Sequence, residues 1–153
     1  MMKYHQIAIL LFLLLQACSG VKINDEYYNN AKRYFNVEFG IDVSSSESTY
    51  IIVPLQGCKS CLGDCLSYIE TIDMKDNYTI VLVGVESAFF EDDIKKCLSK
   101  IKREFNCLFD NRQHIYKYRT GFSHPLKMYF GNGTSIYLEL RYLRGKPRWL
   151  EVL

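Results

Sequence analysis

The stretch Tyr50-Ile51-Ile52-Val53-Pro54-Leu55-Gln56-Gly57-Cys58-Lys59-Ser60-Cys61-Leu62-Gly63-Asp64-Cys65 changes character at Gln56-Gly57. Before that point it is uncharged, apolar and rich in β-branched residues, which predicts a buried strand. Pro54 has no N–H and belongs at the strand's end or at a bulge. From Cys58 to about Ile72, the residues Cys61, Leu62, Cys65, Tyr68 and Ile69 can share one side of a helix. A C-x-x-C pair, Cys58 and Cys61, therefore sits where a strand gives way to a helix. Two cysteines three apart at a helix start can bond to each other without distorting the first turn. The helix N-terminus supplies unpaired N–H groups and a partial positive charge. Both favour thiolate at Cys58, the more exposed of the two, and Lys59 adds a cation beside it. That makes Cys58 the candidate nucleophile of the pair and Cys61 its candidate partner thiol.

Working outward, Tyr78 to Val85 predicts a second buried strand. Glu91-Asp92-Asp93 opens a helix with acids at its positive end, and Ile94, Cys97, Leu98, Ile101 and Phe105 form its apolar stripe. Upstream, Asp25 to Phe35 is helical by the spacing of Tyr28, Ala31 and Phe35, and Gly40 with Ser44-Ser45-Ser46 marks a loop. Downstream come a short strand at Cys107-Leu108-Phe109, a turn at Asp110-Asn111 and a short element over His114 to Tyr118. Leu126 to Phe130 and Thr134 to Leu140 alternate on either side of Gly131-Asn132-Gly133, a hairpin pattern. Strand–helix–strand units imply parallel pairing, and the hairpin adds antiparallel strands. The expected class is α/β, with a mixed central sheet flanked by helices in three layers. Pro147 interrupts the short remainder after Leu140, so an edge strand or irregular cover is expected there instead of a closing helix.

The whole chain has 153 residues, 48% apolar and 24% charged, with six cysteines and a formal charge of +2. That length predicts one domain. It excludes a multidomain enzyme and a polytopic membrane protein, and the near-neutral charge gives no sign of a nucleic-acid partner. A short basic start is followed by an unbroken apolar run, Ile7 to Leu15. A membrane span needs about 20 such residues, so the run fits a signal-peptide core. It ends Leu15-Gln16-Ala17-Cys18, which resembles the lipobox of bacterial lipoproteins. The resemblance implies a signal peptide over 1–17, cleavage before Cys18, a diacylglycerol on its sulfur and a fatty acid such as palmitate on its amine. Residues 18–24 would form a tether and 25–153 the domain. The expected location is a lipid-anchored one on a membrane, facing the periplasm or the cell surface, where disulfides persist. Five cysteines then remain outside the anchor, so at least one thiol is unpaired or pairs with another molecule.

The order of strand, C-x-x-C, helix and a late His124-Pro125 directly before a strand and a Gly-containing hairpin resembles the thioredoxin superfamily. Its membrane-tethered, TlpA-type members are the nearest in pattern, over roughly Tyr50 to Leu140. The resemblance implies a thiol–disulfide oxidoreductase with Cys58 and Cys61 as the redox pair. It implies a cis Pro125 against that pair, with His124 offering backbone groups to a bound peptide. The partners would be a protein disulfide or dithiol and a redox partner, and no cofactor is implied. Four positions depart from the family pattern. Gly57 stands where an aromatic is common, Ile52 where thioredoxin has a buried acid, and Lys59-Ser60 between the cysteines.

Two other functions fit the residues. One is a non-catalytic surface lipoprotein that binds a partner through the same scaffold. The other is a copper or zinc metallochaperone, with Cys61, Cys65 and His124 as ligands. Cys65 reads either as a third redox thiol or as a small buried apolar residue. Cys97 and Cys107 read either as a disulfide or as separate buried thiols. Charge is segregated along the chain. Ser19 to Asp93 has 13 acidic and five basic residues, and Ile94 to Leu153 has 13 basic and four acidic. A basic face toward anionic lipid is one reading; two interleaved halves that neutralise each other is the favoured one.

Overall fold

A computed structural model of the chain describes residues 25–44, 47–73, 75–131, 134–143 and 146–151. The expected signal peptide, the expected lipidation site at Cys18 and the expected tether lie outside these, as do Asn132 and Gly133. Helix α1 spans Asp25–Phe39, β1 Ser48–Pro54, α2 Lys59–Glu70, β2 Tyr78–Val83, α3 Asp92–Glu104 and β3 Asn106–Asp110. A 3-10 segment, His114–Tyr118, precedes β4 (Leu126–Gly131), β5 (Thr134–Leu143) and β6 (Lys146–Glu151).

The six strands form one mixed sheet in the order β3-β2-β1-β4-β5-β6. β1, β2 and β3 are parallel, joined by crossovers through α2 and α3, while β4, β5 and β6 are antiparallel. Strand periodicity divides the core between the two faces. Tyr50 and Ile52 pack with Ala31, Tyr34 and Phe35 of α1. Ile51 and Val53 pack with Leu62, Leu66 and Ile69 of α2 and Leu98 and Ile101 of α3. The observed architecture is thus an α/β sheet with helices on both faces, as the residue pattern predicts. Pro54 is the last residue of β1, and Pro147 lies on the edge strand β6, where a missing N–H is tolerated.

Charge segregation resolves into ion pairs between the two halves. Lys100 pairs with Glu70 at 3.0 Å, Lys102 with Glu86, and Lys75 with Glu104. Among the described residues, no helix is long and apolar enough to cross a membrane.

The parallel strands all point toward one edge of the sheet. In such sheets the loops beyond the strand C-termini are where binding and chemistry gather. Here that edge collects the β1–α2 turn with Cys58 and the β2–α3 loop from Gly84 to Glu91. Because β4 runs antiparallel to β1, with Leu126 opposite Ile52, the segment entering β4 is brought to the same edge.

Candidate functional site

Two backbone bonds continue the ladder past the strands and hold this edge together: Leu55 N–H to Val83 at 2.9 Å and Gly84 N–H to Asp110 at 3.0 Å. Gln113 Nε2 donates to Gln56 Oε1 at 3.0 Å, tying the β3 end to the β1–α2 turn. The turn then passes through Gly57 at φ 115°. A side chain at Gly57 would have open space but a strained backbone. The chain thus enters α2 through a conformation that suits glycine.

Cys58 follows as the N-cap of α2, with extended backbone (φ −68°, ψ 108°). Its sulfur accepts the Cys61 N–H at 3.3 Å and lies 3.1 Å from Ser60 Oγ. The Cys61 thiol donates to it. Cys58 is exposed and Cys61 is buried, and both are free thiols. The two thiols are therefore unlike. Hydrogen bonds from the Cys61 thiol, Ser60 and the Cys61 backbone lower the Cys58 pKa to about 7. Burial, then the bond to Cys58 and its charge, push Cys61 up to about 11. At neutral pH about half of Cys58 is thiolate while Cys61 keeps its proton, the division that a nucleophile and a resolving thiol require. The leading causes are hydrogen bonds and not the Lys59 cation expected from sequence. Ser60, noted there only as a departure, supplies one of them.

Thiolate formation at Cys58 gives a direct readout. Alkylation of native protein by iodoacetamide should rise with pH and reach half its plateau near pH 7, because the thiolate alone reacts. In Cys61→Ala the largest contributor is gone, and the midpoint should move upward toward the ordinary thiol range. Mass spectrometry of quenched time points measures both. Identical midpoints in the two proteins would refute this account of the low pKa.

The other cysteines are of a different kind. Cys65 is completely buried, and burial drives its thiol far above the ordinary range. Burial, with Glu70 close by, pushes Cys97 up to about 11, and burial also raises Cys107. Cys107 donates its S–H to Ile101 O at 3.8 Å. Cys97 and Cys107 are both free, so the disulfide considered between them is not formed. Nor do Cys61, Cys65 and His124 assemble: among the described residues no three His, Cys, Asp or Glu side chains converge on a metal-sized site.

Pro125 differs from expectation in its peptide bond. No cis peptide bond occurs among the described residues, so the His124–Pro125 bond is trans. The Pro125 carbonyl accepts the Leu140 N–H at 2.9 Å, which extends the β4–β5 pairing back by one step. That pairing anchors the segment to the sheet. The His124 ring turns to the buried Glu139, Nδ1 to Oε1 at 2.8 Å, with Ser123 Oγ also donating to that oxygen at 3.0 Å. Burial pulls the Glu139 carboxyl up, but bonds from Arg141, Ser123 and His124 outweigh it and hold the group below its ordinary range.

What lies beside Cys58 is a cleft the sequence reading did not anticipate. Two adjoining hollows, of about 250 and 280 Å³, run between the first turns of α2 and the β2–α3 loop. They share Leu62, Phe89, Phe90 and Lys59. Cys58 and Gly57 stand at one end; Gly63, Glu91 and Ile94 line the other. Neither His124 nor Pro125 lines either hollow. Phe89 is 91% exposed, an unusual state for that side chain. The available signal was Phe89-Phe90 itself, an aromatic pair in a loop between a strand and an acidic helix start.

No family model, curated protein or solved structure matches the chain. The residues of this edge therefore carry the functional argument.

Proposed function

We propose that the chain is a lipid-anchored, extracytoplasmic thiol–disulfide oxidoreductase with a thioredoxin-like domain. The observation that carries the reading is the asymmetric pair: an exposed Cys58 sulfur at the α2 N-terminus, with the buried Cys61 thiol donating to it. The sheet supports the thioredoxin-like reading. Its β1, leading into C-x-x-C, lies between a parallel β2 and an antiparallel β4. The run ending at Cys18 supports the anchor.

The chemistry balances within two thiols and one disulfide. The Cys58 thiolate attacks one sulfur of a substrate disulfide; that S–S bond breaks and the departing sulfur takes up a proton. Cys61 then loses its proton and attacks the Cys58 sulfur, which releases the second substrate thiol. Two electrons have passed to the substrate, and Cys58 and Cys61 are joined. An external dithiol restores the pair, and the same steps in reverse oxidise a substrate dithiol.

Removing the resolving thiol stops this sequence halfway. With Cys61→Ser, a mixed disulfide at Cys58 should accumulate on a protein disulfide substrate. Non-reducing gels and peptide mapping would detect it. Absence of any Cys58 adduct, together with failure of the reduced parent chain to reduce a small disulfide, would dispose of the enzyme reading.

A further inference from the structure

The cleft beside Cys58 has a polarity that its redox pair alone does not require. One end is the reactive sulfur, and the middle holds Leu62, Phe89 and Phe90 with Lys59 on its wall. The far end is acidic, where Glu91 carries no ion pair among the described residues and Asp92 and Asp93 follow it. Asp92 and Asp93 reach their lysine partners only at 3.8 and 4.0 Å and stay almost fully exposed, so this end keeps a negative field. Apolar surface of this kind on a small chain marks a contact site, and a chain lying in the cleft must bring a sulfur to Cys58.

We propose that the preferred substrate is a polypeptide disulfide whose half-cystine is flanked by an apolar side chain and then a basic one, selected by Phe89 and Glu91. This rests on the thiol–disulfide reading and adds its substrate class. The spacing follows from the helix that forms one wall. From Cys58 to Gly63 is about 7.5 Å at 1.5 Å per residue. An extended peptide covers that distance in about two residues. The residue next to the half-cystine then meets Leu62, Phe89 and Phe90, and the following one meets Glu91. The Cys58 sulfur bonds to one half of the substrate, the other half leaves as a thiol, and Cys61 frees the first half as the Cys58–Cys61 disulfide forms.

Disulfide-linked homodimers of Lys-Phe-Cys-Phe-Lys, Lys-Ser-Cys-Ser-Lys and Glu-Phe-Cys-Phe-Glu test this without assuming a chain direction. Their reduction by the full chain is followed at low salt, beside hydroxyethyl disulfide as a substrate too small to use the cleft. The parent should favour the Lys/Phe peptide over the Lys/Ser peptide by about tenfold, the scale of one apolar side-chain contact. It should favour Lys/Phe over Glu/Phe by about threefold, the scale of an exposed ion pair. Phe89→Ser should erase the first preference and Glu91→Lys reverse the second. Hydroxyethyl disulfide reduction gives each variant its own reference rate, against which its peptide rates are expressed. Equal rates for all three peptides with normal hydroxyethyl disulfide reduction would overturn the inference alone. So would a Phe preference that survives Phe89→Ser. No reduction of hydroxyethyl disulfide by the parent would remove the thiol–disulfide reading, and this inference with it.

Discussion

Replacing Cys58 with serine is expected to slow reduction of a small disulfide at pH 7 by about two orders of magnitude or more, with little change in melting temperature. Stability should hold because serine is a favoured N-cap, and its hydroxyl can accept the Cys61 N–H that the sulfur accepts now. The side chain is exposed, so no core is disturbed. The rate should fall because no other thiol can stand in. With the Cys58 thiol near 7, about half of it is ionised at neutral pH. A thiol near 11, such as Cys61 or Cys97, is ionised to about one part in ten thousand. Greater basicity returns only part of that loss, since nucleophilicity rises with a Brønsted slope of about 0.4–0.5. The two effects leave a deficit of about a hundredfold before burial is counted, and burial adds to it. Pseudo-first-order kinetics on the parent and variant, with a thermal melt of each, checks both halves. A binding module that merely keeps the cysteines would lose nothing in its partner binding. A variant that reduces the disulfide at the parent's rate would sink the role given to Cys58.

Much of this edge could be read from the chain because two physical periodicities write it. β1 and β2 are central strands, buried on both faces, and central strands show as uninterrupted β-branched runs. The stripe of α3 and the β4–β5 alternation are likewise direct images of one-sided burial. Cys58 could be placed at a helix start because a strand pattern stops and a helical one begins within four residues.

The parts that could not be read depend on contacts between distant segments. Phe89 and Phe90 acquire meaning only when the β2–α3 loop folds back beside α2. Ser60 looks like any exposed helix residue until its hydroxyl is seen 3.1 Å from the Cys58 sulfur. A cis bond at Pro125 is implied by resemblance alone; the chain reaches the same sheet edge with a trans bond, held by Leu140. Asp110 shows the limit most clearly. In sequence it is half of an ordinary turn, Asp110-Asn111, and an exposed reading of it is natural. In the fold it is 95% buried, and its carboxylate takes three donors from two separate segments.

Those donors make Asp110→Ala the substitution with the largest expected effect on stability. Its Oδ1 accepts the His114 N–H at 2.8 Å, and its Oδ2 accepts the Ile115 N–H at 2.9 Å and the Tyr34 hydroxyl at 3.1 Å. One carboxylate thus fastens the 3-10 segment and helix α1 to the end of β3. Tyr34 is itself fully buried, and burial together with the Asp110 charge drives its phenol well above the ordinary range, so it stays a proton donor at every workable pH. Alanine would leave these donors without an acceptor, at about 1–3 kcal/mol for each one that stays buried and unpaired. They share one site and would relax together, so the costs do not simply add. The expected loss is about 3–5 kcal/mol, a large share of the 5–15 kcal/mol by which domains are ordinarily stable. Tyr34→Phe removes one bond and leaves the carboxylate two partners, so it should cost about 1 kcal/mol. Asp110→Asn should fall between the two, since its single oxygen cannot serve both sides and its amide would turn a donor toward a donor. Urea unfolding followed by circular dichroism orders the three variants. Asp110→Ala within 1 kcal/mol of the parent would show that the carboxylate does not fasten α1. Because α1 packs on the opposite face of the sheet from α2, the Cys58 alkylation midpoint should stay near pH 7 in whatever fraction of the variant remains folded.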